Sequence, residues 1–156
     1  MNTKNKNIIK DILQATPLLS MASITKDGKS WICTAFYAYD DKLKLYFLTP
    51  PTTQHSKNLE KNASVAISVF DTHQNPDDKK RGLQIFGACH KAAGNEIEKG
   101  LRIYGKRFVD FGKKILSPED IEKSKMHSRF YVVVPQKIKI FDELVFGEEI
   151  WVTVVI

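Results

Sequence analysis

An α+β fold, with antiparallel strands closing into a small barrel and helices set aside from it, is predicted by three observations. Strand-like segments follow one another across short turns in the first third of the chain. Helical periodicity is concentrated at the N-terminus and between about residues 97 and 125. Strand patterns then return and run to the end.

Each element has a local reason. Ile8, Ile9, Ile12 and Leu13 recur at helical spacing ahead of Thr16-Pro17, which predicts an amphipathic helix ending there. "LLSMASIT" runs into Asp27-Gly28, a hairpin signal, and then into "SWICTAFYAY". Asp40-Asp41-Lys42 makes a second turn before "LKLYFLT", where Leu43, Leu45 and Phe47 alternate with Lys44 and Tyr46, completing a meander. A short helix, "HSKNLEKN", separates it from the β-branched "ASVAISVF". After the polar loop "DTHQNPDDKK", the strand "RGLQIFGACHKA" carries glycines that signal a bend or a close approach to the backbone.

Ile97, Leu101, Tyr104, Phe108, Phe111 and Ile115 then keep a helical period. Gly100, Gly105 and Gly112 within it each cost ~1 kcal/mol relative to Ala in a helix interior, which predicts close packing or breaks there. "SPED" has a Ser cap, Pro at the first helical position and acids in the first turn, so a further helix runs from Ser117 to about Lys125. "RFYVVVP", "KIKIFDE" and "EEIWVTVVI" read as three closing strands.

The chain has 156 residues and is 42% hydrophobic, a length that predicts one domain over residues 1–156. No apolar run reaches the ~20 residues of a membrane span. The polar N-terminus lacks a secretory core, so the expected location is the cytoplasm and no membrane partner is expected. Cys33 and Cys89 lie in apolar strand segments, where reduced core thiols are favoured over a disulfide or a metal site. The formal net charge is +6 with a pI near 9.2. The lysines are dispersed, with no basic block and no nucleic-acid motif, which favours a solvated basic surface and no nucleic-acid partner.

Three constellations could carry chemistry. In "YFLTPPTTQHSKNL", Thr49 ends a strand, Thr52 or Thr53 can cap the next helix, and Gln54, His55, Ser56 and Lys57 fill its first turn. Free backbone N–H groups and hydroxyls at a helix start suit an anion, although a plain helix cap uses the same residues. In "RGLQIFG", Gln84 lies on the opposite face from Leu83 and Ile85, as a surface amide or a ligand contact. His55, His73, His90 and His127 share no metal-ligand spacing, so no metal site is expected. Hydrolase and nucleotide-loop motifs are also lacking.

From about Leu18 to Phe146 the chain resembles the pyridoxamine 5'-phosphate oxidase-like flavin-binding split-barrel superfamily. The resemblance rests on Asp27-Gly28, Phe47-Leu48-Thr49, Thr53-Gln54-His55, Asn58-Leu59 and the run from Asn62 to Ala66, in the family's order and spacing. It implies an antiparallel six-stranded split β-barrel with peripheral helices, a homodimer, and FMN in a groove between subunits. By the same resemblance, Cys33, Thr34, Ala35 and Phe36 line the flavin ring. Leu48, Thr49, Thr53, Gln54 and His55 surround the ribityl phosphate, and Gln84 adds a cofactor contact.

The departures are specific. Gln54 and His55 replace the family's Arg and Lys, Cys33 stands near a missing Arg, and the C-terminal Arg-x-His-x-Arg substrate clamp is absent, leaving Trp151 as the flavin contact there. The expectation is therefore an FMN-dependent oxidoreductase with a small-molecule substrate of unknown identity, distinct from the oxidase itself. A non-catalytic flavin-binding protein, a cofactor-free barrel and a haem-handling barrel are the alternatives. No catalytic residue stands out; Tyr37, Tyr39 and His127 qualify by side-chain type alone.

Overall fold

The structure, a computed structural model, describes residues 1–115, 117–123 and 127–156. Its elements are α1 (Thr3–Ala15), β1 (Leu18–Ile24), β2 (Ser30–Tyr39), β3 (Leu45–Thr49), α2 (Gln54–Lys61), β4 (Ser64–Phe70) and β5 (Arg81–Lys91). There follow α3 (Asn95–Arg107), α4 (Val109–Gly112), α5 (Pro118–Lys123), β6 (Arg129–Asp142), α6 (Glu143–Phe146) and β7 (Trp151–Val155).

The strands pair antiparallel in the order β3-β2-β1-β4-β5-β6-β7, and β3 pairs back onto β6 from Leu45↔Val133 to Thr49↔Arg129. This second pairing closes a six-stranded barrel, to which β7 adds along the far half of β6. The α+β split barrel expected from the sequence is the fold observed. Among the described residues, no helix is long and apolar enough to cross a membrane.

Inside the barrel, Leu19, Met21, Tyr37, Phe47, Ile67, Leu83, Ile85 and Ile138 form one core with Ile8, Ile9, Ile12 and Leu13 of α1. Helix α1 has no basic residue in its last turn to satisfy the terminal carbonyls. Arg107, from the end of α3, does so instead, donating from Nη2 to the carbonyls of Leu13 at 2.7 Å, Gln14 at 3.2 Å and Thr16 at 3.2 Å. The Tyr37 hydroxyl also donates to the Leu13 carbonyl, at 3.0 Å. A second cluster, Ala38, Tyr46, Leu101, Tyr104, Phe130 and Val132, lies between α3 and the outer side of the barrel.

That second layer corrects the alternation expected in "LKLYFLT". Tyr46 turns away from the barrel interior as predicted, but α3 covers it and it is only 1% exposed. The strand also starts later, at Leu45, because Leu43 adopts a left-handed φ of 63° in the turn. A second correction concerns "RFYVVVP" and "KIKIFDE", which form one strand, β6, rather than two. Pro135 lacks a donor for the ladder, and it is tolerated at a register shift in the pairing with Phe86 and Gly87. The long helical period breaks at Phe108, where Gly105 and Gly112 meet in close backbone contact between α3 and α4. Ser117 and Pro118 do start a helix; the end expected near Lys125 lies outside the described residues.

A Cβ at Gly87 would lie 2.2 Å from the Val134 carbonyl oxygen, a contact no side-chain motion relieves. Gly87→Ala should therefore destabilise the fold by roughly 1–3 kcal/mol, the usual cost of overpacking. Urea denaturation measures it, and an unchanged midpoint would show that the bulge relaxes freely.

Candidate functional site

The segment after β3 folds into a compact hydrogen-bonded knot. Thr53 caps α2, and its Oγ1 accepts from the N–H of Ser56 at 3.4 Å and donates to the Pro50 carbonyl at 2.9 Å. Ser56, fully buried, donates to the same carbonyl at 3.0 Å. His55 Nε2 lies 2.6 Å from Thr49 Oγ1 and 3.1 Å from Thr53 Oγ1. Burial lowers the His55 pKa from its ordinary value, which favours the neutral imidazole.

Two expected members behave differently. Gln54 turns along its own helix, donating to Asn58 Oδ1 at 2.8 Å, while Asn58 donates to Ser23 Oγ at 3.0 Å and ties α2 to β1. Leu48 faces the second cluster beneath α3, not the knot. The N–H groups of Gln54 and His55, at the open end of α2, have no acceptor among the described residues. They are the free donors of a helix N-terminus.

Sequence reading missed Arg129. It is the direct cross-strand partner of Thr49, so the two side chains leave the same face of the β3–β6 pair at neighbouring positions. Arg129 is half-buried, and its Nη1 donates to the Ser128 carbonyl at 2.9 Å. The pairing brings a cation from 80 positions away in sequence to the loop that lacks the family's Arg and Lys. Only a prediction of which strand closes the barrel would have revealed it.

The remaining candidates divide by strand face. Cys33 and Ala35 are partly buried and pack against the barrel core. Burial pushes the Cys33 thiol up to about 11, so it is protonated and a poor nucleophile. Thr34 and Phe36 face outward and are exposed. Register then aligns Thr34, Ser20, Ser68, Gln84, Lys139 and Thr153 as one polar row across β2, β1, β4, β5, β6 and β7. Ser20 Oγ and Thr34 Oγ1 are 3.3 Å apart within it.

The flanking rows are small or apolar. Ala22 and Ala66 lie beside Ile32, which is 69% exposed, while Phe36 is 53% exposed on the other side. Trp151 stacks on Phe141 with ring centroids 4.7 Å apart, and Lys139 Nζ lies 4.8 Å from its ring centre. Gln84 and Trp151 thus share this outer face with Thr34 and Phe36. Tyr37 and Tyr39 are bound to α1 through their hydroxyls, and His127 is exposed.

A family model for pyridoxamine 5'-phosphate oxidase matches residues 6–139. Over 90 residues the chain is 31% identical to the UPF0306 protein YhbP of Escherichia coli, covering 54% of this chain and 58% of YhbP. The chain therefore spans little more than half the length of the curated relatives it matches. A heme binding protein from Mycobacterium smegmatis is similar in structure, with a TM-score of 0.75 and 13% identity over 99% of this chain and 59% of that one. A Clostridium acetobutylicum protein related to general stress protein 26 gives 0.69 and 15% identity over 100% and 97%. At such identities these structures establish the shared fold.

The folded His55 pKa lies below the unfolded value, so its contribution to stability is complete above roughly 6.5 and is lost as pH falls through the folded value. An NMR titration of the free protein should give His55 a midpoint below that of an unperturbed histidine. A midpoint at or above ~6.5 would contradict the neutral, hydroxyl-bound ring.

Proposed function

The chain belongs to the pyridoxamine 5'-phosphate oxidase family, and from that premise we propose that it is an FMN-binding homodimer acting as an oxidoreductase on an unidentified small molecule. The observation that carries this reading is the pairing of Arg129 with Thr49 at the open N-terminus of α2. The donor set there fits a phosphate: free N–H groups at Gln54 and His55, the hydroxyl of Thr49, and a guanidinium in place of the missing loop cations, with Thr53 holding the helix start through its bond to the Pro50 carbonyl.

In this reading the polar row on the outer sheet face borders the flavin ring. Thr34 and Gln84 supply hydrogen-bonding groups, while Ser20 and Ser68 keep the surface low enough for a flat ring to approach. Exposed Ile32 and Phe36 at its margins are covered by a second copy of the same face, which excludes water from the groove. Bound flavin would supply the electron-transfer chemistry, and the protein supplies orientation and access. His55 enters as a neutral hydrogen-bonding partner and takes up a proton as the phosphate arrives, because a nearby dianion raises an imidazole pKa.

A haem-handling reading is favoured by similarity in fold to haem-binding and haem-storage proteins, the Mycobacterium smegmatis protein among them. It ranks second because that similarity, at 13% identity for the Mycobacterium smegmatis protein, is one of fold alone, and His73, His90 and His127, the histidines that would have to supply an axial ligand, sit in no recognisable ligand motif.

Fluorescence titration with FMN should show saturable binding that tightens as pH falls. Arg129→Gln and Thr49→Val should each weaken it by about tenfold, the loss of one charge-assisted or one well-placed hydrogen bond. Sedimentation should give a dimer. No FMN binding at any pH, together with a Soret band on adding haem, would replace the flavin reading with the haem one.

A further inference from the structure

Helix α3 carries Lys99, Arg102 and Lys106 on one face, at i, i+3 and i+7, with Arg107 beside them. Across from them stand Lys10 of α1 and Lys42 of the β2–β3 turn, enclosing a cavity of about 620 Å³. Asp40 and Asp41 are the acidic residues lining it. Both are already engaged. Asp41 accepts from Lys10 at 2.6 Å; Asp40 pairs with Lys99 through Oδ2 and accepts the N–H groups of Lys42 at 2.9 Å and Lys44 at 3.0 Å through Oδ1.

Lys42, Arg102 and Lys106 consequently have no ion pair among the described residues and converge on the same space. Arg107 adds a fourth unpaired charge. Its Nη2 serves α1, its guanidinium lies 4.8 Å from the Tyr37 ring centre, and its Nη1 is buried with no hydrogen-bond partner. Like charges gathered in a concavity with a low-dielectric wall concentrate positive potential there. The wall includes Tyr39, Ile103 and Ala38, an apolar side against which a planar group can lie.

We infer that this cavity binds a nucleoside polyphosphate, with phosphates on Arg102, Lys106 and Lys42 and the base against Tyr39 and Ile103. The volume falls within the roughly 300–1,000 Å³ of small-molecule sites. Guanidinium forks suit phosphate oxygens. The site is separate from the α2 loop: it borders the turn before β3, whereas Thr49 ends that strand. A five-residue strand spans on the order of 13 Å between its two ends. The dispersed lysines of the sequence are thus partly gathered by folding.

The test titrates the full-length chain with ADP by calorimetry at low salt, with inorganic pyrophosphate and a single-stranded RNA as further probes. The comparison protein is the double variant Arg102→Gln/Lys106→Gln. Both side chains are exposed, so the variant should keep its circular dichroism and its ligand-free melting temperature; Lys42→Gln, in the turn, provides a second and independent variant. ADP should bind saturably, raise the melting temperature, and bind more tightly than pyrophosphate. In the double variant its affinity should fall by about tenfold or more, as expected for two lost phosphate contacts, while FMN binding stays unchanged. Absence of ADP binding, or equal binding by both variants and the parent, overturns the assignment. Preferential binding of RNA, lost in the double variant, also overturns it by making the basic face a polynucleotide surface.

Discussion

Closure of the barrel through β3 and β6 is the constraint on which the rest of the structure depends. A sheet edge exposes a row of unpaired N–H and C=O groups, and each buried one costs free energy unless it finds a partner. Strand β6 removes that problem in two stages. Its first part pairs with both β5 and β3, and after the register shift around Pro135 its second part pairs with β5 and β7. The bend lets one strand leave the closed ring and continue along an extra strand.

Closure also sets what lies on each side of β3. The inner residues Leu45 and Phe47 join the barrel core, and the outer residue Tyr46 is covered by α3 packing on the same sheet. Gly100 allows that approach, since a Cβ there would lie 3.1 Å from the Phe130 ring. Docking of α3 in turn brings Arg107 to the end of α1, so a single guanidinium links the helix that plugs the barrel to the helix that flanks it. The short strand then separates two concentrations of anion-binding groups, one at its start and one at its end. They differ in kind. The loop after Thr49 offers neutral donors and one cation, whereas the cavity beside α3 offers several cations and few neutral donors.

Much of the fold was legible because it is written in local pattern. The spacing of Ile8, Ile9, Ile12 and Leu13, the Asp27-Gly28 turn, the Thr53 cap and the Ser117-Pro118 helix start each follow from backbone and side-chain chemistry within a few residues. The family signature from Phe47 to Ala66 likewise located the candidate loop. What was not legible was the sharing of faces. Cys33 and Ala35 belong to the same segment as Thr34 and Phe36, yet the two-residue period of a strand sends the pairs to opposite sides. Gln54 had the right position in sequence but spends its side chain on Asn58, one turn along the helix.

By itself the sequence determined the class of fold, the order of nearly every element and the stretch most able to meet a phosphate, because turns, caps and periodicity are short-range properties. Only the tertiary structure decided that Arg129 stands beside Thr49, that His55 lies between two threonines, and that charges from α1, a turn and α3 face one cavity. Those outcomes depend on which distant strands pair and which helix covers them, and pairings across 80 residues leave no local trace.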